Sequence, residues 1–133
     1  MKQPTSYHHA KNSKAKIQIH QGGTRSGKTY SILQCLCEWC FLNKNAGWTI
    51  TVARKTFPSL RASVLRDFIT ILESQNWYNP AFHNKSDNIY MLFGNLIEFL
   101  SIDQPAKVRG RKRNILYVNE CTELSREDWR QLM

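Results

Sequence analysis

The chain has 133 residues, room for one domain, and 41% of them are apolar, the share of a globular protein rather than a disordered one. No run approaches the roughly 20 apolar residues of a membrane span, and Met1-Lys2-Gln3-Pro4 lacks the apolar stretch of a secretory signal, so a soluble intracellular protein with no membrane partner is expected. Nineteen Lys and Arg against ten Asp and Glu give a formal net charge of +9, which favours polyanionic partners: nucleotide phosphates, nucleic acid or an acidic protein.

Residues 1–15 are polar and basic without periodicity and read as an N-terminal flank ahead of one domain over 16–133. No acid precedes Glu38, whereas Lys2, Lys11, Lys14, Lys16, Arg25 and Lys28 do. Lys16-Ile17-Gln18-Ile19-His20 alternates and runs into Gln21-Gly22-Gly23, which predicts a short strand leaving into a glycine turn. From Gly27 to Asn43 the pattern is helical and apolar almost all round, so a helix buried on most sides is expected. It holds Cys35, Cys37 and Cys40. Their C-x-C-x-x-C spacing is not that of a common zinc ribbon, and Cys121 has no Cys or His companion nearby. They are expected to act as small buried hydrophobes, and the pair His8-His9 gives no better metal signal.

Trp48 to Ala53 is rich in β-branched residues and predicts a second strand. Pro58 and Ser59 open a helix whose apolar face is Leu60, Val64, Phe68, Ile71 and Leu72. Asn76 to Asn88 reads as a loop anchored by Trp77 or Phe82. Ile89 to Phe93 and Leu96 to Leu100 are strands, with Gly94-Asn95 as the connecting hairpin turn. A basic run, Lys107, Arg109, Arg111, Lys112 and Arg113, precedes the apolar strand Ile115 to Val118. Ser125 and Asp128 have the S-x-x-D form of a capping box and start a last helix through Trp129 and Leu132. The alternation of strands and helices is that of an α/β fold with a mainly parallel sheet plus a β-hairpin.

Gly22-Gly23-Thr24-Arg25-Ser26-Gly27-Lys28-Thr29 fits G-x-x-x-x-G-K-[ST] at every fixed position and lies between a predicted strand and a predicted helix. In such a loop the glycines let successive amide N–H groups point inward as an anion nest, and the helix start adds its dipole and free donors. Lys28 supplies an ammonium for the outer phosphates, and Thr29 a hydroxyl for Mg²⁺. The complementary element is an apolar strand ending in acids, and Ile115 to Glu120 supplies it. Asn119 stands where an Asp usually orients Mg²⁺ through water, and Glu120 where a carboxylate acts as general base on the attacking water. Binding of a nucleotide with Mg²⁺ follows, with adenine and guanine both open as its base. For the base itself, Gln18, Gln21 and the flank around Tyr7 are the candidates to reach it.

These pieces together resemble the phage terminase large subunit from about Lys16 onward. The resemblance is carried by Gly22-Gly23-x-Arg25-Ser26-Gly27-Lys28-Thr29, by Arg54-Lys55-Thr56 with Ser59-Leu60-Arg61-x-Ser63-Val64, by Val108-Arg109-Gly110, and by Val118-Asn119-Glu120 with Trp129-Arg130-Gln131-Leu132. It implies a P-loop ATPase of the additional-strand, catalytic-glutamate class, a three-layer sandwich, here truncated after the Walker B strand. It implies a homo-oligomeric ring that meets a portal protein, a small terminase subunit and double-stranded DNA at the procapsid vertex in the host cytoplasm, not in the mature virion. Arg25 is then a charge-stabilising residue in cis, and Arg109 a finger reaching a neighbouring subunit's nucleotide. In that class a later strand inserts between the P-loop strand and the glutamate strand, so this chain would lack the centre of its own sheet. The family's nuclease domain has no counterpart here, and nuclease activity is not expected. Two other readings share the same residues: a helicase-like or recombination ATPase, and a non-catalytic fragment that binds nucleotide or DNA.

Overall fold

The computed structural model describes residues 5–9, 17–22, 26–103 and 113–132. The elements run β1 (Thr5–His9), β2 (Ile17–Gln21), α1 (Ser26–Leu42), β3 (Thr49–Arg54), α2 (Phe57–Leu60), a π-helical turn (Arg61–Leu65) and α3 (Arg66–Ser74). They continue with a 3-10 turn (Pro80–Phe82), β4 (His83–Asn84), β5 (Ile89–Leu92), β6 (Asn95–Ser101), β7 (Ile115–Asn119), a second 3-10 turn (Cys121–Glu123) and α4 (Arg126–Leu132). The strands form one sheet in the order β1-β2-β7-β3-β6-β5-β4. The four middle strands β2, β7, β3 and β6 are parallel, while β1 on one side and β5 and β4 on the other pair antiparallel. The mixed α/β architecture with a parallel centre and a hairpin is thus the one the sequence predicts.

The strand alternation divides the core in two. On one face Ile19, Ile50, Val52, Ile97, Phe99, Ile115 and Tyr117 pack against Leu33, Leu36 and Cys37 of α1 and against Phe68, Ile71 and Leu72 of α3. On the other, Ala53, Leu100, Leu116 and Val118 meet Leu132 of α4, with Trp129 alongside. Each fully buried Leu, Ile or Phe contributes about 1.5–3 kcal/mol relative to exposure, so the larger first face supplies most of the apolar stabilisation. Among the described residues no helix is long and apolar enough to cross a membrane.

Five expectations change. Thr5–His9, inside the stretch read as an unstructured flank, forms β1 by pairing with the outer edge of β2. No strand separates β2 from β7: they pair directly from Ile17↔Ile115 to Gln21↔Asn119, so their donors and acceptors satisfy one another and the expected central gap is closed. α1 buries one stripe, Thr29, Ile32, Leu33, Leu36, Cys37 and Cys40, and leaves Cys35, Glu38, Phe41 and Leu42 exposed. The sheet covers only one side of that helix, so Cys35 is not a core residue as expected; the four cysteines are free, and no metal-ligand cluster occurs among the described residues. The helix opened by Pro58 carries the predicted buried face but passes through a π turn. Finally, the hairpin turns at Phe93-Gly94, not Gly94-Asn95, with Leu92 opposite Asn95. Phe93 takes φ 51° and Gly94 φ 80°. Ring contacts of Phe93 with Phe41 and Trp77 offset the strain of a left-handed aromatic residue.

The released Asn95 becomes a buried linchpin. Its side chain accepts from Trp48 N at 3.1 Å and donates to the carbonyl of Asn43 at 3.1 Å, tying the hairpin to the end of α1. Of the two proposed loop anchors, Trp77 is packed against the core, whereas Phe82 is exposed.

Candidate functional site

Parallel strands bring their carboxyl ends to one edge of the sheet, the place where α/β folds collect functional groups. Here β2 ends at Gln21, β7 at Asn119, β3 at Arg54 and β6 at Ser101. Gly22 leaves β2 toward α1, whose first turn carries Gly27, Lys28 and Thr29 and no acidic residue. Gly22 and Gly27 do not adopt the left-handed backbone. The need for glycine at position 22 is close approach: a Cβ there would lie 3.1 Å from Thr122 Cγ2, in the turn that follows Glu120. Gly22 and the turn at the end of β7 are therefore packed together.

Four polar side chains meet beneath that contact. Thr29, Gln21 and Asn119 are buried, as is the Tyr117 ring. Asn119 Nδ2 donates to Thr29 Oγ1 at 3.2 Å, to Gln21 Oε1 at 3.0 Å and toward the Tyr117 hydroxyl oxygen at 3.1 Å. The Tyr117 hydroxyl donates to Gln21 Oε1, and Gln21 and Thr29 exchange hydrogen bonds at 3.3 Å. Burial pushes the Tyr117 phenol up to about 12, more than its hydrogen bonds with Asn119 and Thr29 draw it down, so it stays protonated and donates at neutral pH. Asn119 Oδ1 is buried without a hydrogen-bond partner. The two residues expected to serve a metal, Thr29 and Asn119, thus stand side by side 90 residues apart in sequence.

Glu120 follows directly. It is 6% exposed and turns the chain out of β7 in the left-handed conformation, φ 55° and ψ 53°. Burial raises the Glu120 carboxyl above its ordinary value; Arg54 works against that rise and Glu123 adds to it. Arg54 itself is held from two sides, donating to Ser63 Oγ at 2.8 Å and to the Glu123 carboxylate at 3.3 and 3.4 Å. A buried carboxyl facing a fixed guanidinium is a group whose proton affinity the site controls, as general-base chemistry requires.

Of the residues expected at the site, Gly22, Gly27, Lys28, Thr29, Asn119 and Glu120 are described and gather at this edge. Ser26 begins α1. Gly23, Thr24, Arg25 and Arg109 lie outside the described residues. Two expectations are corrected: Gln21 does not reach outward to a base but is buried against Thr29 and Asn119, and the Gln18 side chain, on the opposite face of β2, lies 3.0 Å from His20 Nε2. Arg113 also leaves the basic run; it is 1% exposed and donates to the carbonyl of Leu132 at 3.3 Å. Sequence reasoning assigned no role to Tyr117 or Arg54. The signal for Arg54 was a charged residue closing a buried strand; Tyr117 gave none, since a Tyr in an apolar strand reads as core.

Asn119 turns Nδ2 to the Thr29 hydroxyl and keeps Oδ1 as a buried acceptor without a donor, so Mg²⁺ at Thr29 would require the amide to present its oxygen there instead. No curated protein matches the chain. The family model for the phage terminase large subunit matches residues 14–133, which include every residue of this edge, and the chain therefore belongs to the phage terminase large subunit family.

Proposed function

We propose that this chain is the ATP-binding and ATP-hydrolysing part of a terminase that drives double-stranded DNA into a procapsid. The observation that carries the reading is the 3.2 Å contact between Thr29, which closes the glycine-rich segment, and Asn119, which precedes the buried Glu120. In this reading the loop from Gly22 to Thr29 is a P-loop whose amides cradle the phosphates and whose Lys28 pairs with the outer ones. Thr29 and Asn119 would hold Mg²⁺, which would neutralise charge on the phosphates. Glu120 accepts the proton of the attacking water. Arg25 and Arg109 are the candidates to stabilise charge that develops on the transferred phosphoryl group, in cis and across a ring of identical subunits respectively. Double-stranded DNA, the portal and the small terminase subunit are the partners, at the portal vertex in the host cytoplasm.

One observation favours a second reading, nucleotide binding without turnover: the cluster of Gln21, Thr29, Tyr117 and Asn119 contains no carboxylate to neutralise a divalent cation. Mg²⁺-dependent ATP hydrolysis by the chain, beside Glu120→Gln and Lys28→Ala, separates the two. We expect turnover to fall at least about 100-fold in Glu120→Gln, the range of a lost general base, and to be lost with nucleotide binding in Lys28→Ala. Nucleotide affinity is expected to survive in Glu120→Gln. Lys28-dependent binding with no turnover in the parent chain would establish the second reading, and absence of any nucleotide binding would sink both.

A further inference from the structure

Among the described residues the large apolar side chains left exposed are Phe41, Leu42, Phe82 and Met91, and they gather where the end of α1 meets the hairpin of β5 and β6. Phe41 stacks on Trp77 at 5.1 Å and meets Phe93 edge-on at 5.4 Å. Trp77 and Phe93, with Phe82, Met91 and Lys44, line a cavity of about 300 Å³. A second cavity, of about 540 Å³, is lined by Phe82, Ile89, Met91, Leu96 and Lys85. Phe82 and Met91 border both, so the two cavities form one apolar surface that passes from one face of the hairpin to the other. The surface is preformed. Phe93 O accepts from Asn45 N at 2.7 Å, and a Cβ on Gly94 would collide with Asn45, so the turn sits directly on the end of α1. Its charge is one-sided. Lys44 Nζ lies 4.0 Å over the Phe41 ring, Lys85 borders the second cavity, and no acidic residue lines either. Asp87, in the same turn as Lys85, is engaged with Asn84.

Exposed apolar surface rimmed by charge is the composition of a protein contact, and aromatic side chains anchor such contacts. Whatever covers this surface must bring apolar groups and negative charge together. The rest of the chain does not supply them: residues 1–4, 10–16, 23–25 and 104–112 contain Lys or Arg and no acid. A second copy docked by twofold symmetry would bring the same lysines into one interface from both sides. We propose that this corner docks a segment of a different protein in which bulky apolar side chains alternate with carboxylates. The apolar groups fill the two cavities, and the carboxylates face Lys44 and Lys85. α1 begins at the edge that holds Thr29 and ends here, while β6 begins here and ends at that edge, so the occupant leaves Thr29 and Glu120 uncovered. The proposal does not depend on the nucleotide reading.

The test is fluorescence anisotropy of two labelled synthetic peptides titrated with the full chain, one of repeating Phe-Glu-Leu-Glu and one with Lys in place of Glu. The acidic peptide is expected to bind and the basic one not to. Phe82→Ser and Lys85→Glu should each weaken that binding about tenfold, the worth of an interface anchor. Arg126→Glu makes the same change of charge on α4, away from the corner, and should leave the affinity unchanged. All three replaced side chains are exposed, so the variants are expected to keep the far-UV circular dichroism of the parent chain. Equal weakening by Lys85→Glu and Arg126→Glu would mean attraction by net charge alone and would overturn the proposal. So would binding that Phe82→Ser leaves intact, or no binding of the acidic peptide. A parent chain that is dimeric by light scattering, and monomeric as Phe82→Ser, would make a second copy the occupant and overturn it as well.

Discussion

Glu120 occupies a position where burial, a neighbouring cation and a neighbouring anion act on one carboxyl group. Its proton affinity is raised by burial, lowered by Arg54 and raised again by Glu123. A general base must be ionised, so turnover should decline as pH falls through this raised value, at a higher pH than for an ordinary carboxylate. Replacing Arg54 by Gln removes the lowering influence and should move the acid limb of the rate profile to higher pH. Replacing Glu123 by Gln should move it lower. The same shift has a stability side. A carboxyl whose folded-state value lies above its unfolded one favours the fold while protonated and loses that contribution as pH rises through the folded value. Glu120→Gln, neutral and of equal size, should therefore melt at or above the temperature of the parent chain at neutral pH while losing turnover. A variant that loses both would place Glu120 in the fold rather than the chemistry.

At the level of elements, α4 depends most on its attachments. Seven residues are too few to hold a helix alone. The predicted capping box is formed, with Asp128 N donating to Ser125 Oγ at 3.2 Å and Ser125 N donating to Asp128 Oδ2 at 2.8 Å. Asp128 also takes a hydrogen bond from Lys55, in the loop after β3, and Trp129 lies 4.7 Å from His20, ring to ring. Burial raises the Asp128 carboxyl, but Lys55 and Ser125 outweigh it and hold the group below its ordinary value. The stability this supplies is present above the ordinary carboxylate range and lost as pH falls through the lowered value. Asp128→Asn should cost roughly 1–2 kcal/mol in urea unfolding at neutral pH, and the difference should narrow in acid.

This helix shows why some elements were legible and others were not. The S-x-x-D box and the stripe of Leu60, Val64, Phe68, Ile71 and Leu72 are local patterns, and the folded chain uses them as written. The apolar strand before Glu120 was legible for the same reason. The turn at Phe93-Gly94 was not, because the packing of Phe41 and Trp77 decides which residue takes the left-handed backbone. Thr5–His9 carries no strand pattern of its own; the free edge of β2 makes it one. Gln21 and Tyr117 acquire their roles only from partners 98 and 96 residues away, and no spacing rule records that.

Taken whole, the molecule carries nineteen basic side chains against ten acidic ones. With Arg113 committed to the interior, the remaining charges of the basic run before β7 are Lys107, Arg109, Arg111 and Lys112. If DNA is the partner, its affinity should be electrostatic and indifferent to sequence. Three neutralised phosphates give a fall of about 40-fold between about 50 and about 200 mM salt, and anisotropy titrations of a labelled duplex would read it. Affinity that ignores salt would argue against phosphate contact.

The direct pairing of β2 with β7 also has a mechanical meaning. The two strands run parallel over five registered pairs, and both end at the edge that gathers Thr29, Asn119 and Glu120. A pull between the site end of β2 and the start of β7 acts along the strands, so the ladder hydrogen bonds between them bear the load together instead of parting one after another. The site edge is thus joined to the opposite edge of the sheet by a connection that is stiff in the direction of the strands.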